Sequence, residues 1–276
     1  MQTFLQHPSD HDQNAPPVQV KGLSLQYDSG GYALRDLSFS LQAFQMTAVV
    51  GPNGAGKTTL FKLISGTLRP SSGSIDVYGE GPGKHICIAY VPQRSQVDLE
   101  FPVTVREVVM MGRIRKIGFF RWPTAHDWEL VLAALIRVGM EEYADRQIGA
   151  LSGGQQQRVF LAQAISQEAE VVLLDEPLTG LDLPSQEAIF GIMQTMRDGG
   201  TAVLVATHDL NLAAEHFDQV LLLNRRLIAF GAPKIVFSRD NLIKAYGAQV
   251  HVLSGADETV VLADTCCEGE EPHSHG

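Results

Sequence analysis

Nine consecutive residues, Gly51 to Thr59, read GPNGAGKTT and directly follow the apolar run MTAVV at 46–50. Strand, glycine loop and helix start follow one another, and Gly51, Gly56, Lys57 and Thr58 match G-x-x-x-x-G-K-[ST]. The glycines let a loop through Pro52, Asn53, Gly54 and Ala55 turn its backbone N–H groups inward around phosphate oxygens. The helix that starts at Thr59 and runs through Leu60, Phe61, Leu63 and Ile64 points its positive end at the same charge. Lys57 reaches the β- and γ-phosphates as a point charge, and the Thr58 hydroxyl is a hard oxygen ligand suited to Mg²⁺. The chemistry is that of nucleoside triphosphate binding.

Other residues could act on such a ligand. LSGGQ at 151–155 offers a second phosphate-binding helix start, with Ser152 as cap and Gly153 and Gly154 exposing backbone N–H groups ahead of Gln155. Asp175 and Glu176 end the apolar run VVLL, where open α/β sheets place their ligands. Adjacent carboxylates on a strand point to opposite sides and so have different jobs, although a solvated strand end would account for an acidic pair standing alone. Tyr27 either packs half-buried at the end of a strand or turns its face to a purine ring.

The elements that must position these groups alternate in type. VQVKGLSLQY and LRDLSFSL read as two strands of an antiparallel layer around the turn at 28–31. A helix at 59–67 and strands at 74–78 and 85–91 follow, and the pattern is helical from 98 to about 168. Buried strands at 171–174 and 202–206 alternate with helices at 184–197 and 210–216, then comes a hairpin at 220–230 and a helix at 235–246. This order predicts an α/β fold with a parallel sheet, an antiparallel β layer and a helical subdomain. Residues 1–17 read as a flexible lead-in, 18–254 as the folded nucleotide-binding domain with its helical subdomain at about 98–168, and 255–276 as a C-terminal extension.

The chain has 276 residues, 45% hydrophobic and 19% charged, enough for one large core. Its net charge of −10 argues against nucleic acid as a partner, because phosphate backbones are held by Lys and Arg. Cys87, Cys266 and Cys267 make no disulfide framework, which predicts a reducing compartment. The first residues lack the plan of a secretory signal, and no apolar stretch reaches the roughly 20 residues that span a bilayer.

GPNGAGKTT, Gln93, LSGGQ, VVLLDEP at 171–177 and His208, in that order, resemble the ATP-binding subunit of an ATP-binding-cassette transporter, with a P-loop NTPase core of RecA-like type. The resemblance spans Tyr27 to His208. It implies ATP and Mg²⁺ as cofactors, with Thr58, Gln93 and Asp175 at the metal. By the same resemblance Glu176 orients and deprotonates the attacking water, Gln93 and His208 sense the γ-phosphate, and Tyr27 stacks on adenine. Ser152, Gly153, Gly154 and Gln155 face ATP held by a second subunit, and Asp182 lies in the loop at 180–182 that crosses the dimer interface beside Glu176, so a head-to-tail homodimer is expected. The other implied partners are membrane permease subunits and, indirectly, an extracytoplasmic metal-binding receptor, which puts the chain at the cytoplasmic face of the cell membrane.

The 92 positions from Thr59 to Leu151 leave no room for the coiled coils of chromosome-organising relatives. The chain also has one cassette and an acidic charge, unlike ribosome-associated types, so transport is the expected use. The segments 90–113 and 146–165 resemble importers of manganese, zinc or ferrous iron, and next best those of iron chelates and cobalamin. Gln163 departs from the arginine that this resemblance leads one to expect. Residues 97–113, with Phe101 and Pro102, would line the groove that receives the permease. In the tail, Cys266, Cys267, His273 and His275 gather soft ligands suited to Zn²⁺, in a spacing that matches no standard closed site.

Overall fold

The computed structural model describes residues 15–27, 30–81, 88–93, 101–118 and 120–247. The first strands are β1 (Gln19–Gln26) and β2 (Tyr32–Ser40), whose alternation of buried and exposed side chains is that of a half-covered sheet. They pair antiparallel, and β4 (Ser72–Asp76) joins the other edge of β1, giving the order β2-β1-β4. Between β2 and β4 in the chain stand β3 (Met46–Val50) and α1 (Lys57–Ile64).

A second sheet holds the continuous apolar runs. After β5 (Ile88–Val91) come the helices α2 (Val105–Met111), α3 (Ile114–Ile117), α4 (Ala125–Arg137) and α5 (Gly153–Ser166). Then follow β6 (Val171–Asp175), α6 (Leu183–Asp198), β7 (Ala202–Thr207), α7 (Leu210–His216), β8 (Gln219–Leu223) and β9 (Leu227–Gly231). The chain's last described helices are α8 (Pro233–Val236) and α9 (Arg239–Tyr246). The sheet order is β5-β6-β7-β3-β8-β9, with every pair parallel except β8 with β9. Every residue of β3, β6 and β7 is buried, as strands covered on both faces require.

Helix α1 lies between the two sheets. Its Leu60, Phe61, Leu63 and Ile64 are fully buried with Leu23, Leu34 and Leu37 of the antiparallel layer and Val49, Leu173 and Leu204 of the parallel one. Each such side chain contributes about 1.5–3 kcal/mol, so the helix that begins at the glycine loop is fixed from both sides. The other face of the parallel sheet shares one core with α2, α4 and α5 through Val109, Val131, Leu135, Val159 and Leu161.

A charged cluster ties the helical part together. The buried Arg113 guanidinium donates to Asp127 Oδ1 at 3.2 and 3.3 Å, to the Ser166 carbonyl at 3.0 Å and to Glu168 Oε2 at 2.6 Å. Asp127 also accepts from the Thr124 hydroxyl and N–H, which caps α4. The Thr124 hydroxyl, outweighing the opposing effect of burial and helped by the Thr124 N–H and by Arg113, holds the Asp127 carboxyl below the usual range.

Three sequence-based boundaries need correction. The helix expected at 59–67 starts earlier, at Lys57, and ends at Ile64. The single helix expected at 235–246 is two, because the chain leaves helical geometry between Phe237 and Ser238 and restarts with Ser238 in extended backbone as the cap of α9. The strand at 74–78 is shifted to 72–76. The first turn at 28–29, the segment 94–100, Cys87 and everything beyond 247, the Cys and His tail included, lie outside the described residues. Among the described residues no helix is long and apolar enough to cross a membrane.

Candidate active site

Four neighbouring strands, β5, β6, β7 and β3, end on the same side because they are parallel, and each delivers a candidate site residue there. β3 leads into the glycine loop. At Gly51 a Cβ would stand 2.0 Å from the Leu223 carbonyl oxygen, and at Gly56, with φ 100°, it would stand 2.4 Å from Leu34 Cδ2. Neither position has room for a side chain, so the loop is pressed against β8 on one side and β2 on the other. Lys57 is buried and donates to the Gly51 carbonyl at 2.7 Å, closing the loop on itself. Burial pushes the Lys57 ammonium below its ordinary pKa, and the charges of Glu176 and Asp175 oppose that shift.

Thr58 Oγ1 donates to Asp175 Oδ2 at 2.7 Å, across 117 positions of sequence. Tyr90, at the end of β5, places its hydroxyl 3.4 Å from the same oxygen. Burial raises the Asp175 carboxyl, the Thr58 hydrogen bond opposes the rise, and the Glu176 charge adds to it. Burial, with the Asp175 charge and hydrogen bond, also carries the Tyr90 phenol well above its usual range.

Glu176 follows β6 with φ 50°, a left-handed conformation that side-chain-bearing residues seldom adopt. Its N–H donates to the Ala206 carbonyl at 3.0 Å, which holds the turn against β7. The carboxylate Oε2 lies 3.4 Å from Gln93 Nε2 and 3.3 Å from Thr179 Oγ1, and Oε1 lies 3.7 Å from His208 Nδ1. Gln93, Glu176 and His208 thus meet at three adjacent strand ends. A partly buried carboxylate beside donors that stay neutral or half-exposed is equipped to orient a water and take its proton.

A cavity of about 520 Å³ is lined by residues 52–59 and Glu176, and at its other end by Tyr27, Gly31, Tyr32, Ala33 and Arg225. Tyr27 is 56% exposed and Tyr32 39%, so both rings are open to a ligand. The Arg35 guanidinium sits 5.2 Å over the Tyr32 ring. Tyr32, Arg225 and Tyr90 were not found from the sequence. Tyr32 lies just across the turn from Tyr27 and could have been read with it, whereas Arg225 reaches the cavity only because β8 lies beside β3. A second, mainly apolar cavity of about 310 Å³ between α4, α5 and α6 carries none of these phosphate-binding residues.

The expected second set lies elsewhere. Ser152 caps α5: its hydroxyl accepts from Gln155 N at 3.3 Å and its N–H donates to Gln155 Oε1 at 2.9 Å. Asp182 caps α6 by accepting from Ser185 N at 2.9 Å, and its hydrogen bonds with Ser185 hold its carboxyl below the usual range. Gly154 packs directly on Ser185, so the two capped helix starts stand side by side. Ser152, Gly153, Gly154, Gln155 and Asp182 do not line the cavity that holds Lys57. Among the described residues no group of three or more His, Cys, Asp or Glu could by itself hold a metal ion.

A family model described as ABC transporter matches residues 34–179. The chain is 44% identical over 249 residues to the manganese transport system ATP-binding protein MntB of Halalkalibacterium halodurans, covering 90% of this chain and 98% of that one. It is 43% identical over 234 residues to the zinc transport system ATP-binding protein TroB of Treponema pallidum, covering 84% and 88%. Among solved structures, cbiO1 of Clostridium perfringens, part of the ABC transporter complex cbiONQ, superposes with a TM-score of 0.71 at 30% identity, covering 83% of this chain and 94% of that one. With the phosphate loop, the two strand-end carboxylates and the capped glycine pair in the arrangement just described, the chain belongs to the ABC transporter family and is its ATP-binding subunit, an ATPase.

Proposed function

We propose that this ATPase energises import of manganese, zinc or ferrous iron through a separate membrane permease, working as one half of a head-to-tail pair at the cytoplasmic face of the membrane. The observation that carries the pairing is the separation of the two phosphate-binding helix starts: Ser152 to Gln155 stand outside the cavity that contains Lys57. A capped helix start with two bare glycines has an unused capacity for anions, and a second copy's ATP would use it. The cargo follows from the names of the manganese and zinc relatives, and an extracytoplasmic receptor would deliver it.

Mg²⁺ fits the residues present. Thr58 Oγ1 and Asp175 Oδ2 are hard oxygens already in contact, with the Gln93 amide at the next strand end, and a set this sparse suits an ion that draws its other ligands from substrate phosphates and water. The ion would supply charge neutralisation at the β- and γ-oxygens. Lys57 and the loop amides hold those phosphates, Glu176 orients a water and accepts its proton, and His208 and Gln93 fix Glu176 and the γ-phosphate end.

The test is metal accumulation in cells that lack this subunit and in cells where it is restored. Loss of Mn, Zn or Fe uptake on deletion, regained with the intact chain and not with a Lys57→Ala form, is the expected result. Normal uptake of all three, with loss of iron-chelate or cobalamin uptake, would move the chain to that related importer group. On the same reading Cys266, Cys267, His273 and His275 bind Zn²⁺. Equal Zn²⁺ affinity in the full chain and in a form ending at Ala263 would dispose of that role.

A further inference from the structure

We propose that Arg225 is a nucleotide-binding residue whose guanidinium holds the α-phosphate of the bound nucleotide, so that the turn between β8 and β9 forms a second cationic clamp beside Lys57. The inference rests on the ATP site described above and adds a contact to it.

The position of the turn carries the argument. Arg225 N donates to the Ala55 carbonyl at 2.8 Å, and Arg35 N donates to the Arg225 carbonyl at 2.7 Å. Its backbone is therefore hydrogen-bonded to the phosphate loop on one side and to β2 on the other. Asn224 anchors the same turn from behind by donating through Nδ2 to the Ala245 carbonyl at 2.8 Å. Arg225 has φ 55°, a conformation that glycine adopts at lower cost, yet a long charged side chain stands there. That side chain is exposed, lines the 520 Å³ cavity, and forms no ion pair with any described residue.

The cavity has a direction. Lys57 and Thr58 mark the β- and γ-phosphate end, and the exposed rings of Tyr27 and Tyr32 mark the base end. Arg225 lines the same cavity and is hydrogen-bonded towards both ends, its N–H to the Ala55 carbonyl of the phosphate loop and its carbonyl to Arg35 N on β2, the strand that begins with Tyr32, which places it at the α-phosphate and ribose of a nucleotide. Of these only the phosphate is charged, and a guanidinium presents paired N–H donors that match its oxygens. Arg35 and Arg226 stand beside it in sequence and space, making this a local positive region on a chain of net charge −10.

The experiment compares the full-length protein with its Arg225→Gln and Arg225→Lys forms in calorimetric titrations with ADP, a non-hydrolysable ATP analogue and adenosine. Wild-type binding of ADP establishes the site itself, independently of Arg225. Arg225→Gln should weaken ADP and the ATP analogue by the same factor, about 5–10-fold, and leave adenosine affinity within about twofold. Arg225→Lys, which keeps the charge and loses the fork, should lie between wild type and Gln. Unaltered ADP affinity, an equal loss for adenosine, a loss confined to the ATP analogue, or a Lys form as weak as the Gln form would each overturn the assignment. Circular dichroism and melting curves of both variants identify a loss caused by misfolding, which would show as loss of all three ligands together.

Discussion

Gln93 and Glu176 end neighbouring strands 83 positions apart in the chain, and Nε2 of the one stands 3.4 Å from Oε2 of the other. The carboxylate that would take a proton is thus held by a residue at the start of the segment leading into the helical part, and the two ends of that insertion meet at the reacting group.

Glu176→Gln keeps the shape and hydrogen bonds of the side chain and removes its basicity. Steady-state phosphate release should fall by about 10²–10⁴-fold, while nucleotide binding persists. Turnover at the wild-type rate would remove Glu176 from the role of base.

Lys57→Ala removes the buried ammonium that faces both Asp175 and Glu176 and closes the loop onto the Gly51 carbonyl. The loss should appear first in binding, with affinity for ATP down by at least about tenfold. Equilibrium titration distinguishes this from the Glu176→Gln pattern, in which binding survives.

Gly154→Ala would bring a Cβ to 2.4 Å from Ser185 Oγ and 2.7 Å from Ser185 Cβ. The two capped helix starts would have to separate, at a cost of about 1–3 kcal/mol. The melting temperature should fall in Gly154→Ala and recover when Ser185→Gly is added. An unchanged melting temperature in the single variant would show that the contact has slack.

The Arg113 cluster gives a prediction with a pH sign. Asp127 is held below its ordinary pKa, so its contribution is present above the unfolded-state value, near the usual carboxylate range, and is lost as pH falls through the lower folded-state value. Asp127→Ala leaves Arg113 buried with Glu168 as its remaining carboxylate, and should cost about 3 kcal/mol. Denaturant titrations should show the same deficit at pH 6 and pH 8, narrowing only below about pH 4. A deficit that already shrinks between pH 8 and pH 6 would contradict the assignment.

The parts of the fold that could be read from the sequence were those whose signal is local. The runs at 46–50, 171–174 and 202–206 are almost wholly apolar because both faces are covered, and they were read as strands. The placing of Gln93, Glu176 and His208 near one another was legible because strand-end positions follow from such runs. Sheet membership was not: β4 and β5 are consecutive in the chain, yet one pairs with β1 and the other with β6, a choice made by long-range pairing. The break at Phe237 and Ser238 was missed because the apolar spacing continues across it, while only the cap geometry of Ser238 marks the restart. Arg225 was invisible for the reason Asp175 was visible. Its role depends on which strand lies beside β3, and no local pattern states that.

The same placement of β3 bears on how the protein is made. Val50 pairs with Thr207 on one side and Leu222 on the other, and Gly51 rests on the Leu223 carbonyl. Both neighbours of the strand that feeds the phosphate loop are therefore synthesised more than 150 residues after it. At ordinary elongation rates the loop waits roughly 10–30 s on the ribosome before it can be gripped. Through that interval α1, with Phe61 and Leu63, lacks the cover that Leu204 and Leu221 of β7 and β8 give it in the finished fold. A chain that stops short of residue 223 lacks the strand on which Gly51 rests and the Arg225 wall of the cavity, so the stability that a bound nucleotide lends would favour finished subunits over truncated ones.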